Sequence, residues 1–417
     1  MSILKEAKNY ELLNTCNKCG FCVQSCSVYK EHLNEAYGTR GRLRLIKAVA
    51  DGELERTSFY EKIINSCLMC EECSKNCPSG VQGHLLVQMA REDLAREKGL
   101  PFTKKLPLEK ILPNNKLRSF SFKSFRNFKN IVIRPIPSLH SIRGININSV
   151  NIEKEDFLTS YKPLEVSKNS KFKVGFFVGC LMNHTMKEVA HSIVRVLVNE
   201  GCEVLAPQEQ RCCGTPAHTY GHSKITRELA LHNMRLFNEM KVDVIVTGCA
   251  SCGNMLKNYA KVFKEDNELK DLTLEFSAKV RDITEFLMDD LKISVNKNRN
   301  NLVGKVTYHD PCHLVRGQNV TLQPRKILRD IKGIEYIEMP GANKCCGASG
   351  MFQYFYPEES MAISNKKIEN IKKTNADYVV TNCPACYHRL KGNIEANKLP
   401  QKILHIIELL DPGKQIV

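Results

Sequence analysis

The chain lacks long hydrophobic runs, and this absence excludes a broad class of protein. No apolar segment reaches the roughly 18 residues that a membrane-spanning helix needs. The first residues, Met-Ser-Ile-Leu-Lys-Glu-Ala-Lys, also lack the apolar stretch of a secretory signal. The sequence therefore predicts a protein that stays in the cytoplasm.

Several signatures of nucleotide and haem binding are absent as well. No Gly-x-Gly-x-x-Gly follows a predicted strand, no phosphate-binding loop of the Walker type occurs, and no Cys-x-x-Cys is followed by histidine. These absences predict that the chain itself holds no flavin, nicotinamide, nucleotide or covalently attached haem.

The charge is basic and unevenly distributed. The 417 residues, 42% of them hydrophobic, are enough for two to four globular domains, and the formal net charge is +16. Ten Lys and Arg residues lie between Pro101 and Val150, where Glu109 is the single acid. Such a segment attracts anionic membranes, acidic proteins or nucleic acid. We expect no nucleic acid partner, because the aromatic residues lack the strand context of an RNA-recognition motif.

Cysteine is abundant, with nineteen residues, and two sets near the start have the spacing of two-cluster bacterial ferredoxins. In such runs three closely spaced cysteines hold one cubane and the fourth ligates the other. The spacing predicts two cubane 4Fe-4S clusters, one on Cys16, Cys19, Cys22 and Cys77, the other on Cys67, Cys70, Cys73 and Cys26. Structural zinc is the alternative, although its four-ligand sites rarely use doubled triplets.

Ten further cysteines form two larger sets that repeat each other in order. Each set has a single first cysteine, then Cys-Cys-Gly, then Cys-x-x-Cys, as in Cys180, Cys212, Cys213, Cys249 and Cys252, and in Cys312, Cys345, Cys346, Cys383 and Cys386. In a chain without a secretory signal these spacings indicate metal held by reduced thiolates. Cys202 belongs to neither set and lies in a predicted strand, so we expect a buried, inert thiol.

Apolar periodicity divides the chain into four parts. Residues 1–100 are predicted to form an α-helical ferredoxin domain with both cubanes. Residues 101–170 are a predicted basic, proline-containing linker with one helix. Residues 171–292 and 301–417 are predicted α/β repeats with mostly parallel sheets. The expected fold class is α+β multi-domain, in which the helical ferredoxin domain is followed by two α/β lobes facing each other.

In both repeats the cysteine motifs follow predicted strands. Because open α/β sheets place their sites at the carboxyl ends of strands, the cysteines of each repeat should converge. The predicted strands are 173–178, 202–205 and 242–247 in the first repeat, and 305–308, 334–337 and 378–381 in the second.

The motifs resemble those of the iron-sulfur subunits of glycolate oxidase and lactate utilisation complexes, a family related to heterodisulfide reductase and to the small subunit of anaerobic glycerol-3-phosphate dehydrogenase. The resemblance rests on Thr39-Arg40-Gly41-Arg42, Cys77-Pro78-Ser79-Gly80-Val81, His309-Asp310-Pro311-Cys312-His313 and both Cys-Cys-Gly (CCG) repeats. It implies that the five cysteines of each complete repeat can hold a noncubane 4Fe-4S cluster, which adds one or two clusters to the cubanes. A structural metal such as zinc is the alternative for either repeat.

The resemblance also implies a function. Clusters without a hydride-accepting cofactor move electrons singly, so a partner must oxidise the substrate. The implied partner is an FAD-containing 2-hydroxyacid dehydrogenase subunit. We expect the chain to be the iron-sulfur electron-transfer subunit of a glycolate or lactate oxidoreductase complex, without catalytic residues of its own, that passes electrons to quinone or a soluble acceptor. The alternatives are a heterodisulfide-reductase-like or glycerol-3-phosphate dehydrogenase-type subunit, and a scaffold with structural clusters.

Three histidines beside the cysteines of the repeats have alternative interpretations. His184, His309 and His313 neighbour the first cysteine of a repeat, where a histidine either hydrogen-bonds to sulfur and tunes a cluster's potential or serves in packing.

In the basic segment, one predicted helical face carries apolar residues and another carries basic ones. It is either an interfacial helix on the inner face of an anionic membrane or a solvated linker whose phenylalanines pack on the repeats. The apolar residues are Phe122, Phe125, Phe128 and Val132, and the basic ones are Lys123, Arg126 and Lys129.

Overall fold

The computed structural model describes residues 3–135, 141–142, 145–164, 170–295 and 301–414. In these ranges the strands form two four-stranded parallel sheets and one two-stranded antiparallel ladder. Helices make up the N-terminal part and alternate with the strands of both sheets. This architecture confirms the predicted α+β class.

The N-terminal part is helical, and residues 3–100 contain no strand. Helix Thr39–Asp51 buries Leu43, Ile46 and Val49 on one face. It ends at Gly52, whose left-handed backbone lets its N–H reach the last carbonyls of the helix. The helices of this part are Ile3–Lys5, Ala7–Asn14, Phe21–Ser25, Tyr29–His32, Glu35–Tyr37, Thr39–Asp51, Ser58–Asn65, Glu72–Lys75 and Gly83–Lys98.

The basic segment is more helical than the single helix that the sequence predicts. Helix Asn115–Phe128 begins where the Asn114 side chain accepts a hydrogen bond from the Leu117 N–H at 2.9 Å. Two short strands follow, β1 (Ser141–Ile142) and β2 (Ile145–Asn146), which pair antiparallel. The other helical stretches are Phe102–Leu106, Pro107–Ile111, Lys129–Ile133, Ile147–Ser149 and Phe157–Ser160, of which the second and third are π-helical.

The first parallel sheet has the order β4-β3-β5-β6. Its central strands are buried, as expected for a parallel sheet covered by helices. Its strands are β3 (Phe172–Phe176), β4 (Cys202–Leu205), β5 (Val244–Thr247) and β6 (Val280–Asp282).

The second sheet has the order β10-β9-β7-β8, so it has the same connectivity as the first. The three strands predicted for each repeat are present. β6 and β10 were not predicted because no cysteine motif follows them, and β6 has only three residues. The strands of the second sheet are β7 (Gly304–Tyr308), β8 (Ile334–Ile337), β9 (Tyr378–Thr381) and β10 (Lys402–His405).

Helices connect the strands of both lobes. In the first lobe they are Cys180–Thr185, Lys187–Asn199, Thr215–Thr219, Ser223–Glu239, Ala250–Val262, Lys270–Lys279, Ile283–Glu285 and Phe286–Asp290. In the second they are Cys312–Val315, Leu322–Asp330, Phe352–Phe355, Pro357–Lys372, Pro384–Ala396 and Ile406–Leu409.

Equivalent backbone hydrogen bonds show that the two lobes are one fold built twice. The Phe177 N–H, just after β3, donates to the Val246 carbonyl at 2.9 Å. The His309 N–H, just after β7, donates to the Val380 carbonyl at the same distance. Phe177 and His309 therefore occupy equivalent positions in the two lobes.

The lobes pack against each other through a common core. One buried cluster joins Ile245 and Leu256 of the first lobe to Leu390 of the second, and it includes cysteines of both. An ion pair between Arg195 and Asp411, 2.6 Å long, also crosses between the lobes. Because apolar burial is the main favourable term in packing, the lobes form one unit.

Candidate metal-cluster sites

The first ferredoxin group consists of Cys16, Cys19, Cys22 and Cys77. These four cysteines line one cavity with about 380 Å³ of empty space. The Val81 N–H donates a hydrogen bond to Cys77 Sγ at 3.3 Å, an interaction that helps to set the potential of an iron-sulfur cluster. The structure therefore brings together the four cysteines predicted for the first cubane, although they come from two distant motifs.

The second ferredoxin group consists of Cys26, Cys67, Cys70 and Cys73. Cys73 interacts electrostatically with Cys67 and Cys26, and burial raises its pKa to about 11. Cys26 and Cys70 pack against the same small core, which also contains Cys345 of the second lobe. Cys73 also lines the cavity of the first group, so the two ferredoxin groups adjoin.

In each lobe the five cysteines form an unbroken row of thiol–thiol hydrogen bonds. The first row runs Cys180, Cys212, Cys213, Cys252, Cys249. The second runs Cys312, Cys345, Cys346, Cys386, Cys383. We call these rows the first and second CCG groups. Both follow the same order, as duplication of the fold requires.

The glycine after each cysteine pair has a structural reason. Gly214 and Gly347 have φ of 88° and 83°, in the left-handed region that favours glycine. A Cβ on Gly347 would lie 2.5 Å from the Ser360 carbonyl oxygen. The turn directs the Gly347 N–H at Cys345 Sγ, 3.4 Å away. Glycine therefore allows the turn that gathers these cysteines.

Hydrogen bonds among the thiols lower the pKa of Cys213 in the first row and of Cys346 and Cys383 in the second, and so favour the thiolate at these positions. The pKa of Cys213 lies well below its usual value because it accepts hydrogen bonds from Cys212 and Cys252. The pKa of Cys346 is lowered in the same way by Cys345 and Cys386. Since the thiolate is the form that binds metal, these positions are prepared to act as ligands.

The two CCG groups meet at the interface between the lobes. The side chains of Cys249 and Cys383, the last members of the two rows, are hydrogen-bonded to each other. Ser251 Oγ lies 3.7 Å from Cys383 Sγ. This contact joins two parts of the sequence that are far apart, so it could not be predicted from spacing.

Arg316 joins the second ferredoxin group to the second CCG group. Its Nε donates to the Cys70 carbonyl at 2.7 Å, and its guanidinium pairs with Glu72 at 3.3 Å. Both charged side chains are only 5% exposed. The positive charge also interacts with Cys312 and Cys345. Arg316 could not be identified from the sequence, because its only local signal is its position one helical turn after Cys312.

The three histidines singled out from the sequence have different surroundings. His184 packs against Phe122 with ring centroids 4.4 Å apart. His313 joins the ferredoxin domain to the lobes, since its Nε2 donates to the Met69 carbonyl at 3.1 Å and its Nδ1 lies 3.2 Å from Ser251 Oγ. His309 is fully buried beside the second CCG group, and burial lowers its pKa to about 3.

The donor sets fit iron-sulfur clusters. Each ferredoxin group offers four cysteine thiols, the number that holds a cubane. Each CCG group offers five thiols in mutual contact, one more than a tetrahedral structural zinc site uses. Cys202 lies in β4 with no exposed surface, as expected for an inert thiol. Within the described ranges, no helix is long and apolar enough to cross a membrane.

Family models match both parts of the chain. The model of a 4Fe-4S dicluster domain matches residues 12–81, and that of a cysteine-rich domain, CCG, matches residues 174–257 and 306–391.

Two curated relatives match nearly the whole length of the chain, and a third matches somewhat more than half of it. A probable glycolate oxidase iron-sulfur subunit from Bacillus subtilis is 31% identical over 96% of this chain and 93% of its own. A fumarate reductase (CoM/CoB) subunit from Methanothermobacter marburgensis is 32% identical over 96% of this chain and 72% of its own. Lactate utilization protein A from Geobacillus sp. is 34% identical over 57% of this chain and 99% of its own.

The fold, the cysteine groups and these matches together define an iron-sulfur protein that carries multiple 4Fe-4S clusters in a dicluster domain and cysteine-rich CCG domains. The chain belongs to the family of the glycolate oxidase iron-sulfur subunits. It is an iron-sulfur electron-transfer subunit of a redox system.

Proposed function

We propose that this chain passes electrons from an FAD-containing 2-hydroxyacid dehydrogenase subunit to quinone or a soluble acceptor. Glycolate and lactate are the substrates suggested by the names of its relatives in Bacillus subtilis and Geobacillus. The substrate would bind to the flavoprotein, and this chain would contribute the non-flavin part of an oxidoreductase acting on a CH–OH group.

The continuity of the four cysteine groups carries this proposal. The first ferredoxin group adjoins the second through Cys73. The second faces the second CCG group, where Cys70 interacts with Cys312 and Cys345. The two CCG groups meet at Cys249 and Cys383. We therefore propose that all eighteen grouped cysteines are cluster ligands. The four groups then adjoin one another in a single row that runs from the first ferredoxin group to the first CCG group. When bound there, 4Fe-4S clusters supply one-electron transfer.

The protein's own residues support this row in three ways. Arg316 places a buried positive charge between the second ferredoxin group and the second CCG group, where it favours thiolates and reduced clusters. His313 bridges the backbone at Met69 and the side chain of Ser251, which fixes the ferredoxin domain against the lobes. The Cys-Cys-Gly turn of the second lobe directs the Gly347 N–H at sulfur.

We further propose that the helix Asn115–Phe128 rests on an anionic membrane surface near the quinone. Leu117, Phe120 and Phe128 are exposed on this helix, and Ile131 continues the stripe beyond it. Lys123 is exposed beside them. An apolar stripe flanked by lysine is typical of an interfacial helix. The structure corrects the predicted apolar face at Phe122, which turns inward and stacks on His184.

Addition of substrate with and without the flavoprotein tests the proposed function. The chain is purified anaerobically and mixed with lactate or glycolate, with or without a purified FAD-containing 2-hydroxyacid dehydrogenase. We expect electron paramagnetic resonance (EPR) signals of reduced clusters only when both substrate and flavoprotein are present. Reduction of the isolated chain by dithionite is the control that shows that the clusters can accept electrons.

Two results would contradict the proposal. The first is a failure of substrate and flavoprotein to reduce clusters that dithionite reduces. The second is reduction of a disulfide by the isolated chain and a reduced dye, which would place the chain with the heterodisulfide-reductase-like alternative. A Cys345→Ser variant is the control for the part played by the second CCG group, because it removes a proposed ligand of that group and leaves both ferredoxin groups intact.

A further inference from the structure

The two CCG groups have the same cysteines but different surroundings. The residue three positions before the first cysteine is Phe177 in the first lobe and His309 in the second. Both follow the first strand of their sheet and make equivalent backbone hydrogen bonds. Both are fully buried. The same position therefore carries an apolar ring in one lobe and a ring with two nitrogens in the other.

His309 is a buried polar side chain without a partner. Neither Nδ1 nor Nε2 has a hydrogen-bond partner in the part of the chain that the structure describes. Buried polar groups are nearly always hydrogen-bonded, so an unpaired ring at this depth points to a group bound there. One ring nitrogen of His309, Cys346 Sγ and Cys386 Sγ all lie within 4.8 Å of one another. The unpaired nitrogen is thus directed at the centre of the second CCG group.

We propose that His309 donates a hydrogen bond to a sulfur atom of the cluster site formed by the second CCG group, and that this bond makes the second site more oxidising than the first. The inference rests on the proposed ligand set. A donated hydrogen bond stabilises negative charge on sulfur and therefore favours the reduced state. Phe177 cannot donate such a bond. His309 thus serves as a positioning residue that makes two otherwise equivalent sites unequal.

Comparison of the lobes favours hydrogen bonding over iron ligation. The first lobe has the same five cysteines but has phenylalanine at this position. A ligand in addition to the five cysteines is therefore not a feature that the two repeats share. The first CCG group has a different neighbour, Thr215, whose hydroxyl lies 3.2 Å from Cys213 Sγ. Its single proton has the Ser251 carbonyl as a second acceptor, also 3.2 Å away, whereas His309 has no other acceptor among the described residues. Ala348 stands at the equivalent place in the second lobe.

The test is a dye-mediated redox titration of the whole protein, followed by EPR in the absence of any flavoprotein. The two CCG signals are assigned by their loss in Cys252→Ser and Cys386→Ser. We expect the second-site signal to have the more positive midpoint potential. His309→Phe, which copies the first lobe, should move that midpoint toward the first-site value and leave the first-site midpoint unchanged. His309→Gln retains an N–H donor and should restore part of the shift.

Isotopic labelling provides a measurement that does not depend on a folded variant. In protein labelled with ¹⁵N-histidine, pulsed EPR of the second-site signal should detect a weak nitrogen coupling. Absence of this coupling, or an unchanged second-site midpoint in a folded His309→Phe protein, would overturn the proposal. A strong coupling from direct iron ligation, or zinc in place of iron at the second site, would also overturn it. None of these results depends on the substrate, so failure here is distinguishable from failure of the proposed function.

Discussion

At the scale of single residues, Arg316 is the clearest connection between the ferredoxin domain and the lobes. It is almost fully buried, pairs with Glu72 and donates to the backbone at Cys70. Lys344 is a second cation on the same carboxylate. A buried pair that loses one partner leaves an uncompensated charge, which is more costly than the loss of a surface pair.

We expect Arg316→Met to destabilise the protein by about 3 kcal/mol, because Glu72 loses its most buried partner. It should also lower the midpoint potential of the second ferredoxin group, since a nearby positive charge favours reduction. Anaerobic thermal unfolding and an EPR titration measure the two effects. Arg329→Met, at an exposed position, is the matched control. If neither the unfolding temperature nor the midpoint potential changed, the ion pair of Arg316 with Glu72 would be unimportant for stability and for the cluster.

Gly347, beside the second CCG group, leaves no room for a side chain. Gly347→Ala combines positive φ with a Cβ 2.5 Å from the Ser360 oxygen. We expect a loss of about 3 kcal/mol and loss of the second-site cluster signal. Gly350 also has a positive φ, but a Cβ there would meet nothing within 4 Å. Gly350→Ala should therefore lower the free energy of unfolding by only about 1 kcal/mol. Equal effects of the two substitutions on unfolding would refute this explanation.

Spacing in the sequence was sufficient to group the cysteines and to single out the histidines next to them, but it could not identify the partners of the surrounding residues. Cys77 joins the group of Cys16 because the ferredoxin pattern specifies crossed ligands. Arg316 and His313 have no such pattern, and their partners Cys70 and Met69 lie far away in the chain. Their roles depend on tertiary packing, which local spacing does not contain.

At the scale of single elements, the helix Asn115–Phe128 has an exposed apolar stripe without a partner in the described residues. Phe120 is 66% exposed and Phe128 is 52% exposed. Phe122 lies on another face because its ring stacks on His184. The spacing placed Phe122 on one face with Phe125 and Phe128, and it left open whether this face meets a membrane or packs on the repeats, because helical period alone does not identify the partner of a face.

We expect Phe120→Ser with Phe128→Ser to weaken binding to anionic liposomes at least about tenfold, because each phenylalanine contributes apolar area. Sedimentation with vesicles containing phosphatidylglycerol measures the bound fraction. Leu322→Ser removes an equally exposed apolar side chain elsewhere and should bind like the wild type. Binding that survives the double substitution would sink the membrane proposal.

Strands followed by cysteine motifs were predictable, and the edge strands β6 and β10, which no cysteine motif follows, were not. β8 and β9 have the bounds that the sequence predicts, because β-branched and aromatic residues form compact runs there. β6 has only three residues and follows a helix directly, so its apolar pattern is too short to recognise. It joins the sheet through pairing with β5.

At the scale of the whole molecule, a buried carboxylate lies where the two lobes meet. Asp282, at the end of β6, accepts hydrogen bonds from the Thr284 N–H at 2.9 Å and from Asn382 Nδ2 of the second lobe at 3.1 Å. Burial nevertheless raises its pKa from 3.8 to about 6. The folded protein therefore holds a proton at pH values where the unfolded chain has released it.

The raised pKa of Asp282 makes the folded protein less stable as the pH rises. The stabilising contribution of Asp282 is fully present below about pH 4 and is lost as the pH rises through about 6. Compared with Asp282→Asn, the wild type should lose about 1 kcal/mol of stability between about pH 5 and 7. Anaerobic thermal unfolding of both proteins at one scan rate measures the difference, in which other titrating groups cancel. A difference that does not change with pH, or changes in the opposite direction, would contradict the assignment.

We propose that the four adjoining cysteine groups hold four 4Fe-4S clusters. Iron, zinc and inorganic sulfide analysis of anaerobically purified protein, combined with an EPR-monitored redox titration, is the decisive measurement. We expect about sixteen irons per chain and signals from both ferredoxin groups and both CCG groups. About eight irons, with zinc in the lobes, would show that the CCG groups are structural and that the row ends at the second ferredoxin group.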